Sequence, residues 1–285
     1  MMPRITVLMP VFNGERYLYE SISSILKQSF SDFEFLIIND GSWDLSRKII
    51  EFFRDPRIRV LHHEVNQGLI ASLNEGIDVA EGEFIARMDA DDISMPDRLR
   101  IQLAYMESNP HIGVCGTCVQ VIGSNEIWRM PLNVEEVKCI LMFRSCLAHP
   151  TVMIRKRILA DTGIRYNSNY THAEDYHMWT ELMMHTQLVN VPDILLRYRL
   201  HESQVSRIHR EQQSYNAWVI QLNQLHRLGL HPTDEESRIH WGMCFQPHIP
   251  DPARDGWIQK LLKKNWDAQL YDPYVFAQVL AGFYK

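Results

Sequence analysis

The densest chemistry in the chain is Asp89-Ala90-Asp91-Asp92, which crowds three carboxylates into four residues directly after the apolar run Phe84 to Met88. Their mutual repulsion is costly unless a cation neutralises it, and a divalent metal is the simplest remedy. Mn2+ or Mg2+ would be held by one or two carboxylates and complete its shell with phosphate oxygens and water. Another acid, Asp40, ends the apolar run Leu36-Ile37-Ile38-Asn39. In open α/β sheets the ligand crevice lies beyond the carboxyl ends of the strands, so acids at those ends converge where a ligand would bind. The competing reading is an acidic loop that caps a helix starting at Pro96, because an isolated Asp-x-Asp is a weak motif.

The elements that must position these acids follow from hydrophobic patterning. Ile5 to Met9 is a short continuous apolar run, the pattern of a strand buried on both faces. Leu18, Ile22, Ile25 and Leu26 line one face of a helix. Phe33 to Ile38 is a second buried strand. A helix carrying Ile49, Ile50 and Phe53 follows, with Asp44 as candidate cap, and then a third strand, Ile58 to Leu61. Leu69, Leu73, Ile77 and Ala80 share one helix face, and Phe84 to Met88 is the fourth strand. This alternation predicts a doubly wound α/β sheet. Beyond Pro96 the spacing predicts an α+β half: helices at Leu99 to Met106, Asn133 to Phe143 and Glu174 to His185, with strands at Gly113 to Ile122, Leu188 to Val191 and Leu195 to Leu200. After Ser206 only helices are expected, among them Ile208 to Leu228, one behind the capping box Thr233-Asp234-Glu235-Glu236, and the amphipathic stretch Trp257 to Trp266.

Composition narrows the class. The 285 residues carry a net charge of -6 and are 46% hydrophobic, a soluble globular balance without the basic footprint that nucleic acid demands. Nucleic acid is excluded as a partner on that ground. The apolar run after Met1-Met2-Pro3-Arg4 is too short for a signal-peptide core, and no run is long enough to span a bilayer, so a cytoplasmic location is expected. The five cysteines have no disulfide framework, and Cys115-Gly116-Thr117-Cys118 lies within an apolar strand pattern. Buried structural thiols are the preferred reading over a metal pair.

Four segments in order, Val7-Leu8-Met9-Pro10-Val11-Phe12-Asn13, Phe35 to Asp40-Gly41-Ser42, Asn66-Gln67-Gly68 and Asp89-Ala90-Asp91, resemble family 2 glycosyltransferases with the GT-A fold. Ala148 to Met153, Ala173 to Trp179 and Tyr198 to Ser206 are also similar to that family. The resemblance covers roughly residues 4–206. It implies a GT-A catalytic domain over 1–206, with a nucleotide-sugar half to about residue 95 and an acceptor half from about 96; it leaves the tail unexplained, and the helical extension over 207–285 rests on the patterning alone.

It also implies site roles. Pro10, Val11 and Asn13 would line the nucleotide pocket, Asp40 would bond the pyrimidine base, and Asn66 and Gly68 would lie in the loop that closes over the nucleotide. Asp89 would contact the ribose region, while Arg87 would meet the sugar or phosphate or pair with a nearby carboxylate. Asp91 would hold the metal, with His201 near the metal or diphosphate. Asp175 would be the general base that takes the acceptor proton. The bland rivals are a turn at Asp40-Gly41-Ser42, helix caps at Asn13 and Asp44, a plain loop at Asn66 to Gly68, first-turn acids at Glu174-Asp175 and a structural histidine at 201.

The implied reaction is inverting transfer of a sugar from a nucleoside-diphosphate donor, a UDP-sugar ahead of dTDP- or GDP-sugars, to a glycan or lipid-linked glycan. A nucleotidyltransferase would carry a glycine- and basic-rich phosphate loop, which Pro10 to Glu15 lacks. A non-catalytic nucleotide-sugar-binding or scaffold subunit is the other alternative. Trp257, Ile258, Leu261, Leu262 and Trp266 face away from Lys260, Lys263 and Lys264 on a helical wheel. That helix either packs on the domain, the preferred reading, or makes a peripheral contact with the inner face of the membrane.

Overall fold

A computed structural model describes residues 2–202, 204, 208–244 and 252–283. Strand β1 (Ile5–Val11) is buried along its whole length. Its side chains alternate between two cores: Ile5, Val7, Met9 and Val11 enter one, and Leu8 enters the other. A strand covered on both faces reads as a continuous apolar run for this reason.

Parallel strands flank β1 on both sides, β2 (Phe33–Asp40) on one and β4 (Phe84–Arg87) on the other, and β3 (Ile58–His63) extends the β2 edge. The chain thus winds outward through β2 and β3, then returns across β1 to β4. That reversal opens a crevice at the carboxyl ends of β1 and β4. Helices α1 (Leu18–Leu26) and α2 (Ser46–Phe52) pack on one face and α3 (Leu69–Val79) on the other.

The second half continues the sheet through β5 (Ile93–Ser94), α4 (Arg98–Ser108), β6 (Ile112–Val121), β7 (Ile127–Trp128), α5 (Val134–Ile140), β8 (Met153–Arg155), α6 (Lys156–Thr162), α7 (Glu174–Leu182) and β9 (Gln187–Tyr198). The sheet order is β3-β2-β1-β4-β8-β6-β9-β5, with β7 paired to β6. β8 runs antiparallel to β4 and β6, and β5 antiparallel to β9. The patterning misses the two- and three-residue strands β5, β7 and β8, which are too short for a period to show. The two strands expected at Leu188 to Val191 and Leu195 to Leu200 are one. Thr117 pairs with Val191 and the next residue, Cys118, with Ile194, so exposed Pro192 and Asp193 bulge outward without ending the strand.

The tail forms α8 (Arg210–Arg227), α9 (Asp234–Met243), α10 (Pro252–Ala268) and α11 (Pro273–Gly282). Thr233 and Glu236 close the expected capping box on α9. Trp257, Ile258 and Leu261 of α10 are buried in a third core with Cys139, Met142 and Phe143. Most of the apolar side of α10 is therefore spent on the protein. Trp266 stays exposed, and Lys260 pairs with Glu236. Among the described residues no helix is long and apolar enough to cross a membrane. Residue 206, the expected boundary, lies outside the described residues; Ile220 of α8 joins the core beneath α3 and α7. Cys115 and Cys118 are buried in β6, where burial pushes the Cys115 thiol up to about 12.

Candidate active site

The nucleotide end of the crevice is built by two loops in backbone contact. Gly41 follows β2 at φ +67, and a Cβ there would stand 2.5 Å from the backbone of Val65 and Asn66. Only glycine allows both that torsion and that approach. Asp40 then reaches across and accepts the N–H of Gln67 at 2.8 Å and that of Gly68 at 2.9 Å. His63 Nδ1 lies 2.7 Å from the same carboxylate. Asn66 itself is exposed, while Gly68 is the residue from which α3 starts.

Asn13 adopts φ +49, a left-handed conformation that asparagine tolerates. Its N–H donates to Ser42 Oγ at 3.0 Å and its side-chain oxygen accepts the Trp43 N–H at 3.1 Å. It caps no helix, since α1 begins after Tyr17. Asp44 is not the cap of α2 either; it accepts the N–H groups of Glu15 and Ser46 and ties the two loops together. Pro10 and Val11 are buried at the end of β1. The Val11 side chain belongs to the core, which leaves only its backbone for a ligand.

The acidic cluster sits where β4 ends. Ligand oxygens of Asp89, Asp91 and Asp92 lie within 4.8 Å of one another. They do not cap α4, whose N-cap is Asp97. Pairing of β5 with β9 brings Arg199 and His201 against this loop. The Arg199 N–H donates to Asp92 Oδ1 at 2.8 Å, and its Nε donates to the Asp91 carbonyl at 2.8 Å. Ser21 Oγ donates to the carbonyls of Ala90 and Asp92. His201 Nε2 lies 2.8 Å from Asp91 Oδ2, so these two expected ligands do meet. Burial, reinforced by the charges of Asp89 and Asp91, raises the Asp92 carboxyl well above its usual range. Its Oδ2 is buried without a hydrogen-bond partner. Hard carboxylate oxygens, close together and partly unsatisfied, fit a Mg2+- or Mn2+-type cation.

Arg87 connects this cluster to the far wall. It is buried and pairs with Asp89 at 2.5 Å, so the carboxylate partner expected for it is the neighbouring one. Arg98, fully buried, donates to the Arg87 carbonyl at 2.6 Å. Burial and the Arg87 charge push the Arg98 guanidinium down to about 9.

Glu174 and Asp175 form the first turn of α7, as the helix-dipole reading requires. Dipole stabilisation does not set their proton affinity, however. Burial pushes Asp175 up to about 6 against the pull of first-turn N–H groups and Arg87. Burial and the Asp175 charge push Glu174 up to about 7. The charges of Arg87 and Asp89 both act on Asp175, which puts this acid within electrostatic reach of the cluster. Beside it, His149 Nε2 meets Tyr166 Oη at 2.8 Å. A carboxyl poised near 6 suits a base working near neutral pH.

Several of these groups carry no sequence signal of their own. Arg199 is one, although its cation stacks 4.3 Å from the Tyr17 ring and pairs with Glu20. Arg98 and His63 are others. The strand or helix pattern next to each is visible, but the packing and register that aim them are not.

A sheet wound in both directions from β1, then continued through antiparallel β8 into β6 and β9, whose end brings Arg199 and His201 to the acids, is the GT-A arrangement of sugar-transferring enzymes. Residues 6–181 match the family model described as Glycosyl transferase family 2, and the chain belongs to that family. It is 33% identical over 229 residues to an uncharacterized glycosyltransferase of Haemophilus influenzae, with 75% of this chain and 71% of that one covered. It is 29% identical over 205 residues to Escherichia coli WfgD, a UDP-Glc:alpha-D-GlcNAc-diphosphoundecaprenol beta-1,3-glucosyltransferase, with 71% and 79% covered. The fold is similar to that of S. aureus TarS in complex with UDP-GlcNAc, at a TM-score of 0.67 and 18% identity over 98% of this chain and 91% of the other.

Proposed function

We propose that the chain transfers a sugar from a UDP-sugar to a hydroxyl of a glycan or lipid-linked glycan by single displacement with inversion, and that Asp175 is the general base. The observation that carries this reading is the half-buried Asp175 in the first turn of α7, within the field of Arg87, which itself pairs with Asp89 of the acidic cluster. Asp40, Asn13, Asn66 and Gly68, with the backbone of Pro10 and Val11, form the nucleotide pocket, and Asp89 and Arg87 face the ribose and the transferred sugar. Asp91 and His201 would hold a divalent cation, Mn2+ or Mg2+, which would supply charge stabilisation for the departing diphosphate. Asp175 then needs only to accept one proton from the acceptor oxygen as it attacks the anomeric carbon. Arg87 keeps positive charge between the base and the donor, which favours the ionised form of Asp175.

The lipid-linked acceptor class is favoured by the diphosphoundecaprenol-linked acceptor in the name of WfgD. Peripheral contact with the inner face of the membrane, if made, uses a surface other than the buried side of α10. A thermal-shift series of nucleotide-sugars with and without Mn2+, followed by NMR of the product anomer, tests the reading. Retained anomeric configuration refutes single displacement, and absence of any UDP-sugar effect refutes the donor class.

A further inference from the structure

His63 ends the edge strand β3 with both ring nitrogens on carboxylates. Nδ1 lies 2.7 Å from Asp40 Oδ1, and Nε2 lies 2.6 Å from Glu75 Oε2. The histidine and aspartate side chains are 7% and 4% exposed, while Glu75, on α3, is 42% exposed. Asp40 also accepts one backbone N–H on each oxygen, from Gln67 and Gly68, so both of its oxygens act as acceptors. With an acceptor on each side, both imidazole nitrogens must donate, and only the imidazolium does so. Asp40 and Glu75 are the titratable groups that face this ring. Neighbouring His62 turns to the other side of the strand, toward Asn39, Arg47 and Glu51.

We infer that His63 is a positioning residue for the donor nucleotide: as the imidazolium it fixes the orientation of Asp40 against the loop at 65–68, and deprotonation of its ring weakens nucleotide binding. The inference rests on the uridine-donor reading given above. A carboxylate offers about four lone-pair sites. His63, Gln67 and Gly68 occupy three of them, so one is left for a nucleobase N–H. Uracil presents such a ring N–H, whereas adenine and cytosine present a bare ring nitrogen at the corresponding edge. If the imidazolium loses a proton, one of its two carboxylate contacts becomes lone pair against lone pair. The neutral ring then donates to only one carboxylate and no longer presents a cation to Asp40, so the contact that fixes the Asp40 rotamer and the loop hanging on it weakens. Burial opposes the charge on His63, but the two carboxylates outweigh it and raise its proton affinity above the ordinary histidine value. The stabilisation is therefore complete below about pH 6.5 and is lost as pH rises through the higher folded-state value.

The test is the dissociation constant of UDP in the presence of Mg2+, measured calorimetrically from about pH 6 to pH 9 on the wild type, Glu75→Gln and His63→Gln. UDP titrates identically in all three mixtures, so differences between proteins belong to the protein. Wild-type affinity should fall about tenfold across the alkaline limb, the scale of one lost charge-assisted hydrogen bond. Glu75→Gln, at a half-exposed position that folding tolerates, keeps an acceptor for Nε2 but removes the charge, and should move the limb to lower pH. His63→Gln should bind UDP weakly throughout, without the limb, and its kinetic loss should fall on donor KM and not on kcat. Identical pH profiles for wild type and Glu75→Gln, or a limb that persists in His63→Gln, overturn the inference alone. UDP binding by none of the three at any pH refutes the uridine-donor reading and the inference together.

Discussion

Replacing Asp175 by Asn should make the protein more stable and nearly inactive, with the two effects carrying different pH signatures. In the fold the carboxyl is held near 6, against an ordinary value of 3.8. Each tenfold change in proton affinity is worth about 1.4 kcal/mol, so ionised Asp175 costs the native state up to about 3 kcal/mol. The side chain is only half-buried, and water screens part of that cost; about half is a working figure. The sign follows from linkage. A carboxyl whose folded value is raised contributes stability that is complete below the unfolded value and lost as pH rises through the folded one. Wild type and Asp175→Asn should therefore melt together near pH 4, whereas at pH 8 the variant should melt roughly 3–6 °C higher. Over the same range wild-type turnover should rise through about pH 6 to a plateau as the base ionises. Asp175→Asn should retain donor affinity while turnover falls by about 10²-fold or more. Scanning calorimetry at the two pH values, with product assays alongside, reads both effects. A variant that gains no stability at pH 8 refutes the burial argument, and one that keeps full turnover refutes the base.

Further expectations concern the metal, the loops and the tail. Asp91→Ala should abolish transfer, and EDTA should do so reversibly in the wild type; full activity in excess chelator would sink the metal-dependent reading. Gly41→Ala should cost on the order of 1–3 kcal/mol through its torsion and its clash with Val65 and Asn66, and should weaken UDP binding, measurable by melting and calorimetry. Glu174→Gln should slow turnover less than Asp175→Asn, because adjacent helix residues diverge by about 100° and one acid dominates at the acceptor hydroxyl. Trp257→Glu should lower stability by about 3–5 kcal/mol and leave vesicle sedimentation unchanged, since its ring is buried beside Phe143 and Met142.

The parallel half is legible because its physics is local. A strand covered on both faces must be mostly apolar, and β1, β2 and β4 show that pattern directly, with polar residues such as Thr6, Glu34 and Arg87 as exceptions. Asp40 and Asp89 to Asp92 are legible for a related reason: acids placed just past such strands have nowhere to go but the crevice. The second half is less so, because its short strands carry too few residues to reveal a period. Pro192 reads as a break, although β9 accommodates it as a bulge. Arg199 and His201 reach the acids through the pairing of β5 with β9, a contact between residues a hundred positions apart. For His201 and Asp175 the assigned roles rest on the family resemblance, because local patterning does not give them.

That same pairing of a two-residue strand with the end of β9 has a consequence for how the cation arrives. Ser21 and Arg199 pin the loop by its own carbonyls, so the acid geometry is set by protein bonds and by the field of buried Arg98. An ion entering such a preorganised seat orders almost nothing, and most of its binding free energy remains as affinity. A cation bound there would be held as by a rigid receptor, its occupancy adding stability by mass action with no folding transition of the loop. Chelation should silence the enzyme while leaving the amides of residues 89–92 as protected from hydrogen exchange as before.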